Sequence, residues 1–358
     1  MKILIFNSFG IGDVLFTTPL ARNIKNNIPG TSLTLICNAR VYPLLENSAL
    51  FDDLMIFEKD EWRAAAEQSK LGFLRKAWDF RARIRNQEYD ALFDFSLNSQ
   101  YNFFLAATGI KKRIGPNFRN RGRFLTHKLD LPDGFTEKHV ARHYLDLAKH
   151  LGINAQDLPF ELTLTADDLN RARRILGAHK INERGILIGV CPGSGDSWGT
   201  TAYYKRWPEE NYAALCRRLQ KKYSATIILL GSSAEKSLCS QVADAMPQKP
   251  LDLSGIIGLK DFAAILSLCR LVITNDGGPF HIAQALGKDC VVFYGPVDDK
   301  VYGPYLPKGK CVSLTANVSC RPCYRRFRFP ACVFDKRCLR EISVDKAFEA
   351  ASACLIDS

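Results

Sequence analysis

Short runs of aliphatic and β-branched residues alternate along this chain with longer segments whose apolar residues recur at helical spacing. That alternation predicts parallel α/β units. In the first half KILIFN, SLTLIC, LMIF and ALFDFS read as strands, and helices are expected at about Val14–Asn27, Leu71–Gln87 and Lys138–Leu151. The pattern then restarts. GILIGV, TIILLG, Leu251–Leu253, LVITND and CVVFYG read as strands. Helices are expected at about Glu209–Lys222, Glu235–Met246, Asp261–Cys269 and Pro279–Leu286. Two doubly wound halves in tandem are therefore predicted, residues 1–165 and 185–340. The join falls at 166–184, where Thr165-x-x-Asp168 forms a capping pattern, and an amphipathic helix within 341–358 packs back on the body. Such halves present a cleft at the carboxyl ends of their strands, so informative residues should follow strands.

With 358 residues the chain is long enough for two domains and a large core without disulfide staples. No apolar run approaches the ~18 residues of a membrane span. The opening MKILIFNSFGIGD meets Gly and Asp too soon for an export signal, so a reducing cytoplasmic compartment is expected. The net charge of +12 is concentrated. Lys111, Lys112, Arg113, Arg119, Arg121, Arg123 and Lys128 fall in a stretch with no acid. Cys320–Arg340 carries seven cations against Asp335. Focused positive charge suits an anionic partner, although one such cluster alone reads equally as a solvated face.

Four segments carry candidate chemistry. After the first strand, Gly10 and Gly12 permit a tight turn and Asp13 follows at a helix start, either as a residue favoured by the helix dipole or as a general base. The dinucleotide fingerprint is broken, since Leu15 stands where a third glycine is needed. Asn275-Asp276-Gly277-Gly278-Pro279-Phe280-His281 places two glycines before a helix, an anion site suited to a pyrophosphate. Asp276 could accept hydrogen bonds from sugar hydroxyls, and His281 falls on the first turn. Gly193, Ser194 and Gly195 make another turn after a strand, followed by Thr200, Thr201 and Lys205, a cation able to neutralise a leaving diphosphate. Cys320-x2-Cys323-x8-Cys332-x5-Cys338 could close a structural zinc or iron site, or be reduced packing thiols.

In order and spacing these segments resemble the lipopolysaccharide heptosyltransferases of glycosyltransferase family 9, over nearly the whole chain. Gly12-Asp13, Lys205-Arg206-Trp207-Pro208, Asn275–Ala283, Tyr294-Gly295-Pro296 and the Cys-x-Pro-Cys at Cys320 carry the likeness. The resemblance implies a GT-B fold, with the acceptor in the N-terminal domain and the nucleotide sugar in the C-terminal one. It implies inverting transfer from ADP-L-glycero-D-manno-heptose to the inner core of lipopolysaccharide, with no cofactor required for catalysis. By position it makes Asp13 the base, sets Lys205, Thr200 and Thr201 at the donor phosphates and Asp276 and His281 at the heptose and phosphates. It brings Glu235, after Gly231, to the nucleoside, while Gly277 stands where the family often has Ser or Thr. Gly12 and the cations Lys111, Lys112, Arg113, Arg119, Arg121 and Arg123 are expected to face the acceptor and an anionic membrane surface. The expected location is the cytoplasmic face of the inner membrane, with no nucleic-acid partner. The alternatives are another nucleotide sugar, an NADP-dependent oxidoreductase or a nucleic-acid-binding protein.

Overall fold

The computed structural model describes residues 1–356, without the side chains of residues 196–198 and 200. The chain divides into two compact units, Met1–Leu158 and Pro159–Ser358.

The first unit is built on a six-stranded sheet of β1 (Lys2–Phe6), β2 (Ser32–Cys37), β3 (Asp53–Ile56), β4 (Ala91–Asp94), β5 (Lys112–Asn117) and β6 (His127–Asp130). The order is β3-β2-β1-β4-β5-β6 and every pair is parallel. In the second unit, β7 (Leu187–Cys191), β8 (Thr226–Leu229), β9 (Leu251–Asp252), β10 (Leu271–Asn275), β11 (Asp289–Phe293) and β12 (Cys311–Leu314) repeat it as β12-β11-β10-β7-β8-β9, again all parallel. Each order reverses next to the first strand of its unit, between β1 and β4 and between β7 and β10. Ligands of open α/β sheets bind at such points. The central strands read as unbroken apolar runs because helices cover both faces of a parallel sheet.

Several elements depart from the expectation. β5, β6 and β12 were not anticipated, so part of the basic stretch at 111–128 is strand rather than loop. The helix expected over Val14–Asn27 is two, Ile11–Leu15 and Thr18–Asn27. Pro19 cannot donate to the carbonyl four residues back, that of Leu15, and the Thr18 hydroxyl donates there instead at 2.7 Å. Val140–Leu145 tightens into a 3₁₀ segment, Asp146–Leu151, ended by Gly152 at φ 74°.

Helix Ala166–Ala178 belongs to the second unit and starts with the capping box expected at Thr165 and Asp168. Burial alone would raise the Asp168 carboxyl, but the N–H and hydroxyl of Thr165, Arg171 and Lys260 hold it at about 2. Arg171 also reaches Asp261 at 2.5 Å, clamping this helix to Leu259–Leu268. The terminal helix Val344–Ile356 packs on Glu209–Tyr223, closing a core around Trp207, Tyr212 and Phe293.

Candidate active site

In the second unit the site begins with a buried tryptophan. Trp207 stacks on Phe293 at 4.1 Å, and its indole N–H donates to the Ile342 carbonyl at 3.0 Å. That anchor fixes the chain two residues earlier, where Lys205 is buried. Lys205 Nζ lies 2.7 Å from Asp276 Oδ2, with the side chains only 4% and 5% exposed. The two residues expected to meet donor phosphates and sugar are thus one buried ion pair. Its balanced charge keeps an ammonium where a charge alone would be costly.

Asn275, the last residue of β10, ties the surrounding loops together. Its Nδ2 donates to the carbonyls of Pro192 (2.7 Å) and Gly193 (2.9 Å), and its Oδ1 accepts from the Trp207 N–H at 2.9 Å. One side chain therefore sets the glycine turn after β7 and the lysine loop relative to Asp276. Sequence reasoning passed over it. The signal was there, since an Asn at the end of an apolar strand has to satisfy its amide.

Glu235 acts in the same way. It is buried, and its Oε1 accepts from the N–H groups of Ser194 and Gly195, each at 2.9 Å. Its Oε2 accepts from the Ser232 N–H at 3.0 Å, capping the short 3₁₀ turn that follows Gly231. A Cβ on Gly193 would stand 1.9 Å from that carboxylate, so a side chain there would displace Glu235. The structure thus engages Glu235 with backbone N–H groups of the turn, a positioning task distinct from the nucleoside contact expected of it. The Ser194 hydroxyl is engaged as well, donating to the Ala202 carbonyl at 2.9 Å.

Gly277 precedes helix Gly278–Ala285, whose start carries Pro279 and no side-chain cap. Uncapped N–H groups at a helix start favour an anion. The residue has to be glycine, because a Cβ there would stand 2.7 Å from the Ser194 carbonyl oxygen. A Ser or Thr at 277 is thereby excluded by backbone packing. His281 is buried one turn on, its ring 4.9 Å from Phe280. Thr201 is half-buried in the segment leading to Lys205, and the side chain of Thr200 lies outside what the structure describes.

In the first unit Asp13 sits on the five-residue helix Ile11–Leu15 after β1, with Gly12 beside it, both partly exposed. Asn7 holds this turn by donating from Nδ2 to the Asp13 carbonyl at 2.9 Å. Sequence reasoning missed Lys59 next to it. Its ammonium lies 4.5 Å from the Phe9 ring, and burial lowers its pKa while the nearby Asp13 carboxylate pulls the other way. Asp94, at the end of β4, is a second carboxyl not foreseen. Burial pushes it up to about 6, against hydrogen bonds from Ser96 and Asn102.

The basic stretch is only partly available to a ligand. Lys112 donates to the His150 carbonyl at 3.0 Å, and Arg113 donates to the carbonyls of Phe124 (2.8 Å) and Ile110 (2.6 Å). Lys111, Arg119, Arg121 and Arg123 are exposed.

Cys320, Cys323, Cys332 and Cys338 line one cavity of about 90 Å³ with Phe329 and Phe334. All four are free thiols. Burial and the neighbouring thiols raise Cys323 and push Cys338 up to about 11, which favours the protonated form. Among the described residues no group of three or more His, Cys, Asp or Glu is placed to hold a metal ion. The structure gives no support to the zinc or iron site expected from the spacing.

Comparison with known proteins supports the sugar-transfer chemistry. The sequence profile of glycosyltransferase family 9 (heptosyltransferase) matches residues 77–330. Lipopolysaccharide heptosyltransferase 2 of Escherichia coli K12 is 24% identical over 324 residues, covering 88% of each chain. Among solved structures, a glycosyltransferase family 9 protein from Veillonella parvula superposes with a TM-score of 0.81 at 21% identity, covering 100% of this chain and 98% of that one. The E. coli ADP-heptose LPS heptosyltransferase II superposes at 0.77 and 21%, covering 99% of both. At that identity the structural likenesses speak for the fold.

Proposed function

Starting from the fact that this chain belongs to glycosyltransferase family 9, we propose that it moves heptose from ADP-L-glycero-D-manno-heptose to the inner core of lipopolysaccharide, with inversion and without a cofactor. It is a glycosyltransferase by family; the donor, the acceptor and the residue roles are our reading.

The observation that carries the reading is the buried Lys205–Asp276 pair beside the uncapped start of helix Gly278–Ala285. Together they supply an ammonium and oriented backbone N–H groups for a diphosphate. In the proposed reaction an acceptor hydroxyl attacks the anomeric carbon of the heptose and the bond to the ADP oxygen breaks. Asp13 takes the hydroxyl proton. Lys205 and the N–H groups at Gly277 and Gly278 stabilise the charge that develops on the leaving diphosphate. Asp276 keeps Lys205 in place and, with His281, faces the sugar and phosphates. Thr200, Thr201 and the 193–195 turn complete the donor side. One displacement on the face opposite the leaving group gives inversion.

The acceptor offers phosphates and carboxylates, which Lys111, Arg119, Arg121 and Arg123 suit by charge. Names of the relatives support the lipopolysaccharide acceptor, and with that acceptor we read the enzyme as working at the cytoplasmic face of the inner membrane. No helix among the described residues is long and apolar enough to cross a membrane.

The test is calorimetric titration of the chain with ADP-heptose, UDP-glucose, GDP-mannose and NADPH. Selective binding of ADP-heptose is expected. Selective binding of another nucleotide sugar would keep the residue roles and change the activity. Binding of NADPH alone would overturn the transferase reading.

A further inference from the structure

Helix Lys70–Arg85 of the first unit has two apolar faces. One is ordinary core: Phe80 packs 5.4 Å from Trp62 and 5.9 Å from Phe104, Phe73 meets Trp62, and Ile84 is fully buried. The other points to water. Leu71, Leu74 and Trp78 are 81%, 64% and 65% exposed. Their i, i+3, i+7 spacing puts them on one stripe.

Cations surround this stripe. The helix carries Lys70, Arg75, Lys76, Arg81, Arg83 and Arg85 against Asp79 alone, and Arg75 and Arg85 fall on the stripe's own side. The surface also continues onto its neighbours. Arg81 donates to the Ala107 carbonyl at 2.6 Å, joining the helix to Ser99–Ala106, where Phe103 is 60% exposed. Phe103 meets Phe124 edge-on at 5.1 Å, and the Arg123 guanidinium lies 4.9 Å from the Phe124 ring.

We propose that Leu71, Leu74 and Trp78, with Phe103, dock this unit into the interface of an anionic lipid bilayer, the helix lying in the membrane plane. Aliphatic side chains and a tryptophan enter the boundary between headgroups and acyl chains, and flanking arginines meet the lipid phosphates. Charge complementarity selects this occupant. A two-fold contact with a second copy would set the same strongly positive helix against itself. The proposal deepens the membrane association read above by assigning it to a helix outside the basic stretch at 111–128. It rests on that reading only for its purpose, because its test uses neither donor nor acceptor.

The experiment is sedimentation of the full chain with vesicles of phosphatidylcholine, alone or with roughly one-third phosphatidylglycerol. Binding at least ~10-fold tighter to the anionic vesicles, weakening as salt rises, is expected. The combined substitution Leu71→Ser, Leu74→Ser, Trp78→Ser should lower that affinity ~10-fold or more and leave the melting temperature unchanged, because all three side chains already face water. Arg75→Glu with Arg85→Glu should weaken binding to anionic vesicles and not to neutral ones. Equal binding by parent and triple variant would overturn the proposal, moving the contact to the 119–123 loop. So would a lack of vesicle binding together with a concentration-dependent dimer that the triple variant abolishes. Donor titration separates the two readings: a chain that binds anionic vesicles through this stripe but not ADP-heptose would keep this inference and lose the proposed reaction.

Discussion

In the second unit the side chains that follow β7 and β10 are locked: Lys205 and Asp276 are paired and buried, Asn275 holds two carbonyls and an N–H, and Glu235 grips the glycine turn. In the first unit, built on the same strand order, the corresponding region is open. Asp13 is partly exposed on a short helix, and the exposed cations and apolar stripe lie on surface elements. The contrast suits a division of labour. A diphosphate has one shape, and stabilising its charge demands fixed donors that need no rearrangement. A lipid-borne oligosaccharide has to be met by a surface that tolerates a bilayer.

Four substitutions break or sharpen this contrast. The largest effect is expected at the open end. Asp13→Ala should lower turnover ~10³-fold or more while donor affinity, read by calorimetry, stays within about a factor of two, because the loss is of proton transfer and not of binding. Retention of near-parental turnover would remove Asp13 from the chemistry. At the locked end Lys205→Ala should lower turnover too, since the leaving diphosphate loses its ammonium, and should act on the fold as well. It strands Asp276 as a buried charge, costing about 3–5 kcal/mol of stability in denaturant titration, and it weakens donor binding.

The third prediction concerns Asp94, whose carboxyl is raised to about 6 in the folded unit from an ordinary value of 3.8. A raised carboxyl binds its proton more tightly when folded. Its stabilising contribution is therefore complete below the unfolded pKa and is lost as pH rises through the folded one. Asp94→Asn should gain on the parent as pH climbs from 4 to 8, by up to about 3 kcal/mol. A stability difference that is flat with pH would show that the carboxyl does not titrate in that window. The smallest effect is that of Thr165→Ala. It removes one half of a capping box and should cost about 1 kcal/mol without changing turnover.

Much of the fold was legible because a buried parallel strand leaves an apolar run closed by turn-forming residues, as with Pro192-Gly193 after Cys191 and Asp276-Gly277 after Asn275. What escaped were strands whose sequence contradicts the type. β5 reads KRIGPN, with charges at its start and Gly115-Pro116 in its body. Gly115 has to be bare because a Cβ there would stand 2.3 Å from the Asp94 carbonyl oxygen, so a residue that argues against a strand is required by this one. β6, HKLD, lies at the sheet edge, where half-exposed positions accept charge. In the site, Asp13, Lys205, Asp276, Gly277 and Gly278 could be picked out because each sits in a motif after a strand. For Asn275 the sequence signalled only that its amide needs partners, and which loops it and Glu235 hold is decided when loops from different strands meet. The four cysteines are a different case: their spacing reads either as a ligand set or as packing thiols, and the folded segment lines one cavity with them as free thiols.

The carboxylate that stands where a Gly193 side chain would be has a consequence for how this chain can change over time. Residues 193 and 235 cannot be altered independently. Any substitution at 193 displaces Glu235, and shortening Glu235 leaves three backbone donors without their acceptor. Among descendants of this sequence the two positions should therefore be inherited as a pair, either both kept or both replaced.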